Sequence, residues 1–199
     1  MEYSERVVEA FALMYELHRT QLRKGSRTPY ITHLLGVASL VGGHGGDEEQ
    51  FIAALLHDAV EDQGGRETLE KIRARFGDDV AGLVLACSDT DAEPKPPWQE
   101  RKDQFIESVR KADGRVKLIV AADKLHNARE LAEHLHERGP EVWKIFKAGK
   151  ERMLWFQVEM LKALEDGGWR HPILRELNDA MDMLHRTAER VEREAAEDR

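Results

Sequence analysis

Apolar residues recur at helical spacing along almost the whole of this 199-residue chain. The i, i+3, i+4, i+7 spacing gives a helix one apolar face. In residues 3–22 this face consists of Val7, Val8, Phe11, Met14, Tyr15, His18 and Leu22. No stretch of useful length alternates apolar and polar residues, as a half-buried strand would. The sequence therefore predicts an all-α fold.

Glycines, prolines and N-capping residues divide this pattern into separate helices. A loop at 89–98 contains three prolines, which cannot sit inside a helix. After the first helix, the predicted helices cover about residues 31–42, 47–63, 67–76, 78–88, 98–112, 115–137, 140–165 and 172–198.

The composition narrows the class of protein. The net charge of −8 argues against a general nucleic-acid binder, since such proteins carry a basic face. The single cysteine excludes an intramolecular disulfide and a cysteine-based zinc site. The N-terminus has no apolar core typical of a secretory signal, and no apolar run approaches the roughly 20 residues of a membrane helix. We expect a cytoplasmic protein without nucleic-acid or membrane partners; a homo-oligomer is left open.

The stretch at 57–62 concentrates charge at the end of a predicted helix. At about 100° per residue, His57, Asp58, Glu61 and Asp62 fall within an arc of about 140°. Three carboxylates in the last turn oppose the helix dipole, at a cost of about 0.3–1 kcal/mol each, and repel one another. A bound cation would offset both penalties. A solvated acidic helix end is the alternative interpretation.

Two further residues offer ligands of the same kind. His33 lies on the short predicted helix, and Asp123 follows the apolar run at 116–122, where a carboxylate needs a partner. An ordinary hydrogen-bonded histidine and a buried salt bridge are the alternatives. Together with His57 and Asp58 they form a mixed nitrogen and oxygen ligand set. Such a set suits manganese or a similar octahedral divalent ion better than structural zinc.

Four stretches of the chain resemble the hydrolase domain of RelA/SpoT-type alarmone enzymes and the free-standing small alarmone hydrolases. They are His18-Arg19-Thr20-Gln21-Leu22-Arg23-Lys24, Thr28-Pro29-Tyr30-Ile31-Thr32-His33, Ala53-Ala54-Leu55-Leu56-His57-Asp58-Ala59-Val60-Glu61-Asp62 and Ala122-Asp123-Lys124-Leu125-His126-Asn127-Ala128-Arg129. The chain is therefore similar to the HD-domain metal-dependent phosphohydrolases. It departs from the family's pattern at Thr20, where glycine is usual, and at Leu34, where proline is usual.

The resemblance implies a compact, multi-helix HD-domain bundle. We expect residues 1–138 to form this phosphohydrolase core. Residues 139–199, which match the family poorly, are expected to add C-terminal helices packed on the core. The tail from about residue 187 is nearly all charged or alanine, and we expect it to fray.

The same resemblance implies a reaction and a cofactor. The reaction is hydrolytic removal of the 3′-diphosphate from guanosine tetra- or pentaphosphate, which yields GDP or GTP and pyrophosphate. The cofactor is one Mn²⁺ per chain, held by His33, His57, Asp58 and Asp123. The substrate is thus a small-molecule nucleotide.

Five more residues take roles by the same resemblance. Glu61 and Asp62 match the acidic pair that positions and activates the attacking water. Arg23 and Lys24 match the basic pair at the nucleotide, and Asn127 matches the asparagine that faces its sugar and base. The basic pair belongs to a stretch without acidic residues, which suits a phosphorylated ligand, although a solvated helix end would look the same.

Two alternatives remain beside this hypothesis. The enzyme could act on another nucleotide: a 5′-nucleotide, an adenosine alarmone or a 2′-phosphorylated cofactor. The chain could also be a non-catalytic nucleotide-binding module that docks a partner through its C-terminal helices. We interpret the aromatic residues after Pro140 as a stripe that packs on the core rather than a docking surface: Trp143, Phe146, Trp155 and Phe156.

Overall fold

A computed structural model describes residues 3–90 and 94–197 of the chain. The helices are α1 (Arg6–His18), α2 (Ile31–Gly43), α3 (Glu48–Leu56), α4 (Ala59–Asp62), α5 (Gly65–Cys87), α6 (Trp98–Lys111), α7 (Gly114–Arg138), α8 (Gly149–Glu165) and α9 (Pro172–Glu197). In the described residues the only strand-like pairing is an isolated bridge between Leu22 and Pro29, so the predicted all-α fold is confirmed. None of the helices in these ranges has the length and apolar character needed to cross a membrane.

The helix predicted over residues 47–63 is interrupted after Leu56. Helix α3 ends there, His57 and Asp58 form a link, and α4 begins at Ala59. The prediction of one continuous helix was wrong because the backbone of Asp58 has φ −94° and ψ −1°. This is the bridge region, where many active-site residues lie. The two residues therefore lie at a kink rather than on a regular helical face.

Glycines with positive φ set other helix boundaries. Gly77, with φ 89°, divides α5 into the two segments that the sequence predicts. The helix predicted over residues 140–165 was wrong at its start, because residues 139–145 wind as a tighter 3-10 helix and α8 begins only at Gly149. Gly149 has φ 77°, a conformation that interrupts an α-helix and that glycine adopts readily. Residues 91–93 of the predicted loop lie outside the described residues.

The buried face of helix α1 overlaps only partly with the apolar stripe that the sequence predicts. Val8 and Tyr15 are exposed, whereas Ala10, Leu13 and Met14 are buried. The buried side is the one that packs against α3. Alanine contributes little to an apolar pattern in the sequence, but its small side chain suits the close contact between these helices. Only part of the predicted stripe therefore faces the core.

Helix α7 is the central element of the bundle. Its buried side runs from Val116 to Leu135, and it packs against α2 and α5 as well as α9. Helix α9 makes the most extensive of these contacts and buries side chains as far as Val191. Fraying of the tail from about residue 187 stays a prediction, as does the division of the chain at residue 138.

Candidate metal centre and substrate cleft

The four predicted metal ligands meet at one point of the bundle, which we call the metal centre: His33 of α2, His57 and Asp58 of the kink, and Asp123 of α7. His33 Nε2 lies 3.6 Å from Asp58 Oδ2 and 3.3 Å from Asp123 Oδ1. His57 Nε2 lies 3.1 Å and 3.8 Å from the same two oxygens. An octahedral ion with ligands at about 2.1 Å separates them by about 3.0 Å (neighbouring) or about 4.2 Å (opposite). These four imidazole–carboxylate distances fall within this range, and the ligand atoms of His33, His57 and Asp58 lie within 4.8 Å of one another.

The two imidazoles are oriented as metal ligands would be. Both Nε2 atoms are buried and, among the described residues, neither has a partner in hydrogen-bond geometry, although the carboxylate oxygens lie close. His57 Nδ1 lies 2.8 Å from the carbonyl oxygen of Ala54. Since a carbonyl only accepts, Nδ1 carries the proton, and Nε2 is left with a lone pair directed at the carboxylates. The residues present therefore fit a divalent cation.

The pKa shifts at the metal centre also favour a bound cation. Burial would raise the pKa of Asp58, but the charge of a protonated His57 and the proximity of His33 hold this pKa well below its ordinary value. Burial would lower the pKa of His57, but the carboxylates of Asp58 and Asp123 raise it well above its ordinary value. The two buried carboxylates thus stabilise positive charge between them.

Three neighbours of the centre fix its carboxylates. The hydroxyl of Tyr30 donates to Asp58 Oδ2 at 2.6 Å, and Lys124 Nζ donates to Asp123 Oδ2 at 2.6 Å. Asn127 Nδ2 donates to Asp123 Oδ1 at 2.5 Å. Sequence reasoning gave no role to Tyr30 or Lys124. Tyr30 lies in the motif that contains His33, and Lys124 lies in the motif that contains Asp123. This proximity in sequence was the signal that could have identified them.

The acidic pair of α4 has two different environments. Gln21 Nε2 donates to Asp62 Oδ2 at 2.7 Å, whereas Glu61 Oε1 pairs with Lys95 at 3.2 Å. Burial and then Asp58 raise the pKa of Asp62 above its ordinary value. Burial and then Asp89 raise the pKa of Glu61. Both carboxyls are therefore better proton acceptors than exposed acids.

A cleft of about 440 Å³ opens over Asp58, Asp62 and Asp123. Its polar lining includes Arg23, Lys24, Lys102, Lys124 and Asn127. The lining also contains mainly apolar residues from after the predicted core, which we call the C-terminal wall: Ile145, Phe146, Met153, Phe156 and Gln157. Phosphate-binding cations and flat apolar surfaces suit a nucleotide.

The predicted nucleotide-binding residues meet at one side of this cleft. Arg23 Nη2 donates to Asn127 Oδ1 at 2.6 Å and also pairs with Glu130. The guanidinium lies 5.2 Å from the ring centre of Tyr30. Lys24 Nζ lies 5.3 Å from the ring centre of Phe146. Burial, followed by the charge of Lys147, lowers the pKa of Lys24.

Gln157 is a functional candidate that sequence reasoning missed. Its side chain lines the cleft and is only 5% exposed. Oε1 of Gln157 has no hydrogen-bond partner among the residues that the structure describes. A buried polar atom without a partner destabilises a protein unless a ligand satisfies it. The sequence offered no signal, because a single polar residue in a charged helix looks solvated.

Comparison with known proteins identifies the family. A family model described as "HD domain" matches residues 10–149. The chain belongs to the HD domain family. This HD domain is 41% identical over 128 residues to the guanosine-3′,5′-bis(diphosphate) 3′-pyrophosphohydrolase MESH1 of Xenopus tropicalis, covering 63% of this chain and 69% of that protein. It is 37% identical over 140 residues to the Danio rerio protein of the same name, covering 69% and 73%.

A solved structure supports the same assignment. It is described as "A metazoan ortholog of SpoT hydrolyzes ppGpp and plays a role in starvation responses". It matches this HD domain with a TM-score of 0.76 and 30% identity, covering 92% of this chain and 97% of the other. The comparisons confirm the predicted resemblance and the HD-domain bundle. Since HD domains bind divalent metal, they also agree with the ligand geometry.

Proposed function

We propose that this chain hydrolyses the 3′-diphosphate of guanosine tetra- and pentaphosphate, releasing pyrophosphate and GDP or GTP. The relatives in frog and zebrafish carry the name of this activity. The observation that carries the proposal is the convergence of two imidazole nitrogens on two carboxylates, Asp58 and Asp123, that line a cleft together with several cations. Such a lining suits a phosphorylated substrate.

We assign one Mn²⁺ per chain to His33, His57, Asp58 and Asp123. The donor set contains nitrogen and oxygen but no sulfur, which favours manganese over structural zinc. When bound, the ion supplies positive charge to the phosphoryl group under attack. Tyr30 orients one carboxylate of this set through a hydrogen bond of 2.6 Å.

The acidic pair then handles the attacking water. We assign to Asp62, which lines the cleft, the task of holding the water and accepting its proton, with Glu61 beside it. Because Oδ2 of Asp62 accepts a hydrogen bond from Gln21, we assign the contact with the attacking water to Oδ1. The water oxygen forms a bond to the 3′-bound phosphorus. The bond from this phosphorus to the 3′ oxygen breaks, and the 3′ oxygen takes up a proton.

The remaining predicted residues bind the nucleotide. Lys24 and Arg23 neutralise its phosphates, and Asn127 contacts its sugar and base. Glu130 and Asn127 hold the guanidinium of Arg23 in place at the cleft. Such positioning before binding reduces the entropy that the substrate must lose.

The test is turnover by purified protein loaded with Mn²⁺. Guanosine tetraphosphate is expected to yield GDP and pyrophosphate in equal amounts, and Asp58→Asn is expected to abolish the reaction. A panel of a 5′-nucleotide, an adenosine alarmone and a 2′-phosphorylated cofactor tests the alternatives. Turnover of one of these without turnover of the guanosine compounds would reassign the substrate. Binding without any turnover would favour the non-catalytic module.

A further inference from the structure

His126 contacts the metal ligand His33 at the ring nitrogen that faces away from the carboxylates. The two Nδ1 atoms are 3.1 Å apart, and the rings meet edge to face at 74° with their centres 4.8 Å apart. We propose that His126 is a positioning residue that accepts a hydrogen bond from His33 Nδ1 and so directs His33 Nε2 to the metal. This inference rests on the proposed function in taking His33 as a ligand.

The chemistry of the two rings decides which one donates. Only one proton can lie between two facing ring nitrogens. His33 Nε2 lies 3.3 Å from Asp123 Oδ1 and 3.6 Å from Asp58 Oδ2, so it is the nitrogen that would bind the ion. A metal-binding nitrogen carries no proton, and a neutral imidazole carries one on its other nitrogen. His33 Nδ1 is therefore the donor, and His126 Nδ1 is the acceptor.

A glycine on α2 provides the space for the His126 ring. A Cβ atom at Gly36 would lie 2.4 Å from both Cδ2 and Nε2 of His126, closer than real contacts allow. Gly36 follows His33 by one helical turn, so the ring packs against the backbone of the helix that carries the ligand. Any side chain at position 36 would displace the ring from His33.

The same spacing recurs on the facing helix. Asp123 and His126 are three residues apart on α7, and therefore lie on one face. One helix thus contributes His33 and Gly36, and the other contributes Asp123 and His126. The crossing of α2 and α7 supplies two ligands together with the acceptor and the space that orient one of them.

The test measures metal binding rather than activity. Metal-free wild-type protein is titrated with MnCl₂ in a calorimeter, beside His126→Ala, His126→Asn, Gly36→Ala and the double variant Gly36→Ala/His126→Ala. The control is His136→Ala, an exposed histidine of the same helix. The melting temperature of each metal-free variant separates loss of folding from loss of binding.

Loss of an outer partner of a metal ligand costs about 10- to 100-fold in affinity. We expect this loss for His126→Ala and for Gly36→Ala. His126→Asn is expected to recover most of the affinity, because Oδ1 of asparagine can occupy the place of Nδ1. In the double variant no ring remains to be displaced, so its affinity is expected to equal that of His126→Ala. The control is expected to bind as the wild type does.

Three results would overturn the proposal. One is an affinity of His126→Ala within about threefold of the wild type. Another is a folded His126→Asn that binds as weakly as His126→Ala. A third is a loss of Mn²⁺ affinity on adding Gly36→Ala to the His126→Ala variant that equals its loss in the wild-type protein. Because the titration needs no nucleotide, wild-type protein that binds Mn²⁺ without hydrolysing guanosine tetraphosphate would contradict the proposed function alone.

Discussion

The side-chain amide of Gln21 donates a hydrogen bond to Asp62 across 41 residues of sequence, with Nε2 2.7 Å from Oδ2. The carbonyl of the same amide accepts from Gln63 Nε2 at 2.6 Å and lies 2.7 Å from His18 Nδ1. Gln21 thus links a buried histidine to the carboxylate that we assign to the attacking water. The amide fixes one oxygen of Asp62 and leaves the other to the cleft.

Replacement of Gln21 by leucine is expected to lower kcat and to shift the pH dependence of kcat/KM. The hydrogen bond from Gln21 opposes burial and Asp58, which raise the pKa of Asp62. Without this bond the pKa rises further, and because the base acts deprotonated, the acidic limb of kcat/KM shifts to higher pH. The pH profile measures the shift. Gln63→Leu, which keeps the bond to Asp62, is the control, and an unmoved limb in Gln21→Leu would contradict the assignment.

Asp62→Asn and Glu61→Gln test the acidic pair itself. Removal of a general base costs about 10²- to 10⁴-fold, so we expect a loss of this size in kcat for Asp62→Asn. Glu61→Gln is expected to lower kcat as well. Neither residue is an assigned ligand, so the Mn²⁺ affinity should stay at the wild-type value. Single-turnover rates and metal titration measure the two effects, and unchanged hydrolysis by either variant would show that its carboxylate is not required.

Lys24→Ala is expected to weaken substrate binding while leaving chemistry nearly intact. A hydrogen bond to a charged group contributes about 1.5–3 kcal/mol, which corresponds to an increase of about 10- to 150-fold in KM. Its charge acts partly through solvent, so added salt should raise the KM of the wild type more than that of the variant. Steady-state kinetics at two salt concentrations measure both effects. Lys144→Ala, an exposed lysine paired with Glu141, is the control.

Gln157→Leu is expected to act in opposite directions on stability and binding. An unpartnered buried polar atom costs about 1–3 kcal/mol, so its replacement by an apolar side chain should raise the melting temperature of the ligand-free protein. The KM for guanosine tetraphosphate should rise, because the substrate loses a polar contact in the C-terminal wall. Calorimetry and kinetics on one preparation measure both. A variant with unchanged KM would remove Gln157 from the substrate contacts.

Removal of the metal is expected to destabilise the fold. Metal at about 100 times its Kd stabilises the native state by about 2.7 kcal/mol. For a chain of this length, each kcal/mol shifts the melting temperature by about 2–4 °C, so Mn²⁺ should raise it by about 5–10 °C. Asp58→Asn, which removes one assigned ligand, should lose most of this shift. Equal shifts in both proteins would argue that the ion binds elsewhere.

The helices and the residues that meet at the centre could be predicted because their signals are local. Periodicity and capping residues predict the helices, and short motifs identify His33, His57 and Asp123. The kink after Leu56 could not be predicted, since it depends on the backbone of one residue, Asp58, held in place by its tertiary neighbours.

The contacts that orient the site could not be read from the sequence either. His33 and His126 are 93 residues apart, and their contact follows from the crossing of two helices. Phe146 and Phe156 fit the prediction of a stripe that packs on the core, yet both also line the cleft. An apolar pattern does not distinguish a side chain that faces the protein interior from one that faces a ligand.

The C-terminal wall bears on how the substrate selectivity of this protein can evolve. The residues assigned to bond cleavage come from the first two thirds of the chain, whereas the wall comes from residues 145–157. Substitutions in the wall can therefore alter which nucleotide is accepted without disturbing the groups that cleave it. Part of the surface that selects the nucleotide is thus encoded apart from the groups that cleave it, so a lineage could acquire a new substrate while it inherits the old chemistry.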